Sequence, residues 1–199
     1  MSNSTIESFK KRRSIYHLGK NLPVSKEVVT NTIKEAVKFA PSAFNSQSAR
    51  VIILYGDESK KLWAIVMQVL KAMVPSDKFS ETEQKINSFD AGAGTALFFE
   101  DMSVIKGLQD QMPSYAANFA LWSHHGTGIT QYAVWTALAN IGIGASLQHY
   151  GNLIEEQVKT TWNLPSSWSL IAQMPFGSIE TPAGEKEFSP IEERVKVIG

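Results

Sequence analysis

The sequence predicts an α+β fold, because stretches with helical periodicity alternate irregularly with short apolar runs, without the strand–helix–strand rhythm of a doubly wound sheet. The apolar runs at residues 51–54, 95–99 and 168–176 have strand length and composition. No internal repeat, low-complexity tract or linker divides the 199 residues, so one domain spanning 1–199 is expected, long enough to bury a substantial core.

The elements follow in order. Ser4-x-x-Glu7 reads as a capping box opening a short helix that ends near Lys11. Ser25 caps a second helix, in which Val28, Val29, Thr32, Ile33, Ala36, Val37 and Ala40 recur at helical spacing until Pro41 stops it. Residues 50–55 carry a continuous apolar run suited to a strand buried on both faces, and Gly56-Asp57 turns the chain into an amphipathic helix over 60–74. Thr95-Ala96-Leu97-Phe98-Phe99 reads as a short buried strand. A long helix is expected from about Ser114 to Ala139, with Gly126 and Gly128 weakening its continuity and Asn140 and Gly142 stopping it. A strand over 143–147, a helix over 155–162 and a last strand over 168–176 complete the chain.

Composition narrows the function. Lysine plus arginine equals aspartate plus glutamate, 19 against 19, so no global field draws the protein to nucleic acid or an anionic membrane. The chain has no cysteine, which removes disulfides, thiolate metal sites and a cysteine nucleophile; redox chemistry would need a bound cofactor. The segment Met1-Ser2-Asn3-Ser4-Thr5-Ile6-Glu7 lacks the basic start and apolar core of a signal peptide, and no apolar run approaches membrane-span length, so a cytoplasmic protein is expected.

Two segments at helix ends carry the chemistry. Arg12-Arg13-Ser14 offers guanidinium forks and a hydroxyl to an anion such as a phosphate, although alone it reads more readily as a solvated basic patch. Pro41-Ser42-Ala43-Phe44-Asn45-Ser46-Gln47 offers amides that donate and accept, which suits a polar heterocycle; the plain alternative is a helix stop and loop. A third segment, Ile141 to Gly151, is either a helix terminator followed by a strand or a loop presenting backbone N–H groups.

In this order and spacing the segments resemble the nitroreductase family of FMN-dependent oxidoreductases, and the likeness spans nearly the whole chain. The resemblance implies a three-layer α/β/α sandwich around a mixed, mostly antiparallel sheet. It implies that Arg12, Arg13 and Ser14 hold the FMN phosphate and ribityl chain, with Tyr16 standing where a further basic residue is common. Pro41, Ser42, Asn45 and Gln47 become cofactor contacts on a loop that covers the flavin of a second subunit, so a homodimer is implied. Ser48-Ala49 replaces the family's Pro-Trp. Gln148, His149 and Tyr150 lie where the family presents a backbone N–H to flavin N5, the atom that carries hydride. Lys186 matches a C-terminal phosphate contact, while Phe188 stands where an arginine is common. Phe98-Phe99-Glu100-Asp101, the Trp122-Ser123-His124-His125-Gly126 run and Gln148-His149-Tyr150 resemble the compact subgroup of yeast fatty-acid-repression and nitroreductase-like proteins.

The resulting expectation is a homodimeric flavoprotein that takes hydride from NADH or NADPH and passes electrons to a nitroaromatic, quinone or similar small acceptor, with no protein side chain acting as nucleophile or general acid. The alternative on the same fold is a non-catalytic flavin-binding regulator of redox or lipid metabolism. A more distant one is a hydrolase using Ser103-x-x-Lys106, which lacks its companion motifs. His124-His125 is not expected to bind metal, since adjacent helical residues diverge by about 100°.

Overall fold

The structure is a computed structural model describing residues 4–199; residues 1–3, part of the stretch read for a signal peptide, lie outside it. In chain order the elements are α1 (Ser4–Lys11), β1 (Leu18–Gly19), α2 (Lys26–Phe39), β2 (Ala49–Tyr55), α3 (Asp57–Met73), α4 (Phe79–Asp90), β3 (Gly94–Asp101), α5 (Met102–Gln111), α6 (Ala116–Asn140), β4 (Gly144–Ala145), α7 (Gly151–Thr161), β5 (Trp168–Ile179) and α8 (Ile191–Arg194).

Alternation along the central strand builds the layers. All eight residues of β3 are buried. Ala96 and Phe98 face one way, into a core with Val29 and Ile33 of α2, Val134 and Leu138 of α6, and Met174 and Phe176 of β5. Leu97 and Phe99 face the other, against Leu62, Trp63 and Val66 of α3, Phe89 of α4 and Ile154 and Val158 of α7. A strand buried on both faces needs helices on both, which gives the expected α/β/α sandwich. The sheet order is β1-β5-β3-β2, with β4 also on β5. Its ladders are antiparallel, and the isolated Ser14–Ala145 bridge is parallel.

Several boundaries differ from expectation for physical reasons. β2 is the outer strand of the sheet, so its apolar run is mostly half-buried and not covered on both faces. In α1, Glu7 pairs with Lys10 at 2.8 Å, so the two carry an ordinary helix-surface ion pair. The Ser25 cap is present: its hydroxyl accepts the Val28 N–H at 3.3 Å, and α2 stops before Pro41. α6 runs unbroken for 25 residues through both glycines. Gly126 is buried there facing the loop, and a Cβ on it would meet the Ser42 Cβ at 3.5 Å, an ordinary van der Waals contact. The strand expected over 143–147 shrinks to β4 and a bridge between Gln148 and Gln173. α7 begins earlier than expected, at Gly151, where a Cβ would clash with the Leu170 carbonyl oxygen at 2.0 Å.

Candidate flavin site

The two ends of the fold meet at one cavity. Leu18 pairs with Ile179, Gly19 pairs with Ser178, and the Glu180 N–H donates to the His17 carbonyl at 3.0 Å. This lays residues 12–17 beside 181–186 around a cavity of about 410 Å³, within the size range of small-molecule sites. Arg12, Arg13, Ser14, Tyr16 and Lys186 all line it, although Lys186 lies far from the other four along the chain.

Each cation at this cavity is held without being neutralised. Arg13 Nη2 donates to the Gly184 carbonyl at 2.7 Å, tying the two segments together across the opening. The Lys186 ammonium sits 5.0 Å from the Phe188 ring centroid. The Arg12 guanidinium carbon lies over the Trp135 ring, 4.4 Å from the centroid, and 5.7 Å from that of Tyr132, both on α6. Its Nε is buried and has no hydrogen-bond acceptor. α1, which delivers Arg12, is fastened to the end of α6: Lys11 Nζ donates to the Asn140 carbonyl at 3.0 Å, and Asn140 Nδ2 to Ser8 Oγ at 3.1 Å. The buried Arg12 donor lacking an acceptor, beside the cations of Arg13 and Lys186 and the Ser14 hydroxyl, fits the phosphate of a flavin mononucleotide.

The 41–47 loop lies elsewhere. Ser42 organises it: its hydroxyl accepts the Gln47 N–H at 2.9 Å and its carbonyl the Asn45 N–H at 3.0 Å. Phe44, Asn45 and Gln47 all have positive φ, 54°, 51° and 48°, which is costly for residues with a Cβ. Phe44 is exposed but touches the rings of Tyr115, Phe119 and Trp122 at 6.0, 5.5 and 5.8 Å. Arg50 secures the loop's exit, donating to the Gln47 carbonyl at 2.7 Å and to Asp101 Oδ2 at 3.1 Å. Pro41, Asn45 and Gln47 are exposed, and none of the loop lines the 410 Å³ cavity.

The third segment divides. Gln148 is buried, its Nε2 donating to Ser146 Oγ at 3.1 Å and its N–H to the Gln173 carbonyl at 2.7 Å. Tyr150 packs edge-on against Trp63, 6.2 Å between centroids, on the α3 side of the sheet, and burial pushes its hydroxyl above the ordinary tyrosine value. His149 between them is exposed. Its backbone N–H makes no hydrogen bond among the described residues.

The hydrolase reading does not survive the geometry. Ser103 Oγ donates to Asp101 Oδ1 at 2.6 Å, and Lys106 pairs with Asp110, so no contact joins the two. His124 and His125 are exposed, and no cluster of metal-ligating side chains occurs among the described residues. No helix among them is long and apolar enough to cross a membrane. Sequence reasoning missed the 181–185 wall of the cavity and the Tyr132–Trp135 pair behind Arg12. The pair's spacing of three residues on a helix was a usable signal, since it places both rings on one face.

Comparison with known proteins identifies the family and the fold. Residues 9–178 match the nitroreductase family. The nitroreductase FRM2 of Saccharomyces cerevisiae is 33% identical over 180 residues, covering 89% of each chain. The nitroreductase CinD of Lactococcus lactis, solved with 4-nitrophenol, is 51% identical with a TM-score of 0.90, covering 98% of this chain and 100% of its own. A Desulfovibrio desulfuricans protein solved in complex with FMN shares the fold at 19% identity and a TM-score of 0.71, covering 100% and 99% of the two chains. With the family matched across most of its length and the expected sandwich observed, this chain belongs to the nitroreductase family.

Proposed function

We propose that the protein is a homodimeric FMN-dependent oxidoreductase that draws on NADH or NADPH and reduces nitroaromatics, quinones or related small acceptors. The observation that carries this reading is the cavity bounded by Arg12, Arg13, Ser14 and Lys186, with the buried Arg12 Nε aimed at no protein acceptor. The FMN complex of a fold neighbour and the 4-nitrophenol complex of CinD support the cofactor and acceptor classes. FMN, when bound, would supply hydride chemistry that no side chain of this chain offers. The chain's own residues hold and cover it. The basic cluster binds phosphate, and the free His149 N–H offers a fixed donor to the flavin ring.

Exposed apolar surface supports a dimer. Val197 and Ile198 are 94% and 95% exposed, Phe188 is 73% exposed, and among the described residues the outer edge of β2 is unpaired. Such surface favours a protein partner. Phe44, on the left-handed loop, belongs to the same class of uncovered residue and would sit over the second subunit's site. The test is the absorption spectrum of purified protein reconstituted with FMN, with mass measured by light scattering. A yellow dimer bleached by NAD(P)H and recoloured by a nitroaromatic is expected. A chain that binds no flavin, or a fully active monomer, would overturn the reading.

A further inference from the structure

We infer that Trp135, assisted by Tyr132, is a positioning residue that presents the Arg12 guanidinium to the phosphate of the cofactor; the inference rests on the FMN reading above. A cation near an anion site is commonly oriented by a carboxylate, which consumes its N–H donors and cancels its charge. Arg12 has no carboxylate partner among the described residues. Its guanidinium carbon instead lies over the Trp135 ring, 4.4 Å from the centroid, and 5.7 Å from that of Tyr132. Stacking engages the face of the guanidinium and leaves the in-plane N–H fork available. The buried, acceptor-free Nε is consistent with that: the group is fixed, and its donors await a ligand.

Trp135 also reaches the other half of the motif. Its Nε1–H donates to the Ala145 carbonyl at 3.2 Å, and the same carbonyl accepts the Ile15 N–H at 2.9 Å. Ser14 forms its bridge to Ala145. One indole therefore sets Arg12 directly, and Ser14 through Ala145. Tyr132 is braced in turn by Phe9 of α1, 5.7 Å between centroids, so the stack also registers α1 on α6. Fixing the donors before binding spares the ligand the cost of ordering a long flexible side chain.

Riboflavin separates positioning from general packing, because it carries the same ring system without the phosphate. Full-length protein stripped of flavin would be titrated with FMN and with riboflavin by fluorescence quenching. Trp135→Leu removes the aromatic face, and we expect FMN affinity to fall about tenfold with riboflavin affinity nearly unchanged. Trp135→Phe keeps a face but loses the indole N–H, and should retain more of the FMN preference than Leu does. Tyr132→Leu, at a partly exposed position, should lower the FMN-to-riboflavin ratio by about threefold and serves as the test if Trp135→Leu fails to fold. Equal weakening of both flavins, or no change in the ratio for the folded variants, would overturn the positioning role. Wild-type protein that binds neither flavin would instead overturn the FMN reading itself.

Discussion

Replacing Gln47 with glycine should stabilise the fold while impairing the site. Gln47 holds φ at 48°, and a left-handed conformation costs a residue with a Cβ about 1–2 kcal/mol. Its side chain is exposed, and its amide reaches only the Asn45 carbonyl at 3.5 Å, the outer limit of a hydrogen bond, so little is lost with it. The backbone N–H to Ser42 Oγ survives the change. Glycine's greater freedom in the unfolded chain takes back about 0.5–1 kcal/mol, leaving a net gain of about 0.5–1 kcal/mol. Phe44 makes the control, since its φ is 54° but its ring meets three others. At about 0.5–1.5 kcal/mol per aromatic pair, those contacts outweigh the strain, and Phe44→Gly should destabilise by roughly 1–3 kcal/mol. Urea denaturation reads both, as midpoint shifts of opposite sign at constant slope. A lower midpoint for Gln47→Gly would refute the claim that the loop stores strain. If the strain serves the site, the stabilised variant will also reduce acceptors more slowly.

Arg12→Ala and Ser14→Ala should each weaken FMN binding, the arginine by about ten- to a hundredfold for the loss of a charge-assisted hydrogen bond of about 1.5–3 kcal/mol; unchanged affinity for Arg12→Ala would reduce the cluster to a surface patch. His149→Ala should leave flavin reduction by NAD(P)H nearly intact in stopped-flow bleaching, whereas His149→Pro, which lacks the N–H, should slow it severely at equal flavin content; equal rates would reject a backbone donor. Burial raises the Asp101 carboxyl, but the Ser103 and Ser167 hydroxyls, the Ser103 N–H and Arg50 outweigh it and hold the group below its ordinary value. Its stabilising effect is therefore complete above the unfolded carboxylate value of about 3.9 and is lost as pH falls through the lower folded value. Asp101→Asn should cost about 1.5–3 kcal/mol at neutral pH, with the gap to wild type closing in more acidic melts; a gap constant with pH would contradict the network's charge.

What the sequence made legible follows from burial. The 95–99 run was readable because β3 is central and apolar on both faces, and α2 because Ser25 and Pro41 punctuate a regular apolar stripe. α4 and α5 escaped because each contributes little to the core: α4 buries Ile86 and Phe89 in twelve residues, and α5 buries Ile105 in ten. Gly126 and Gly128 argued against a continuous α6 for a sound local reason, since glycine weakens a helix interior. The helix nevertheless runs through both, burying nine of its 25 residues against the rest of the fold.

The candidate site shows the same limit from the other side. Arg12, Arg13 and Ser14 are legible as a candidate anion-binding cluster because their chemistry is local. That Lys186 joins them depends on the pairing of β1 with β5, two short residue pairs at opposite ends of the chain. Glycine enforces how closely those strands meet: a Cβ on Gly177 would lie 2.2 Å from the Gly19 carbonyl oxygen and 3.1 Å from the Ala93 nitrogen. Nothing but hydrogen fits between those backbones, so the cavity's two walls are set by main-chain contact and the side chains on them can vary. Tyr16 and Phe188 stand where the family more often carries basic residues, yet the opening between residues 12–17 and 181–186 persists. On the proposed FMN reading, the geometry of phosphate binding is thus carried by the strand pair, and its strength by whichever cations the two segments supply. Here those are Arg12, Arg13 and Lys186, with Arg12 the one whose donors are held ready by an aromatic face.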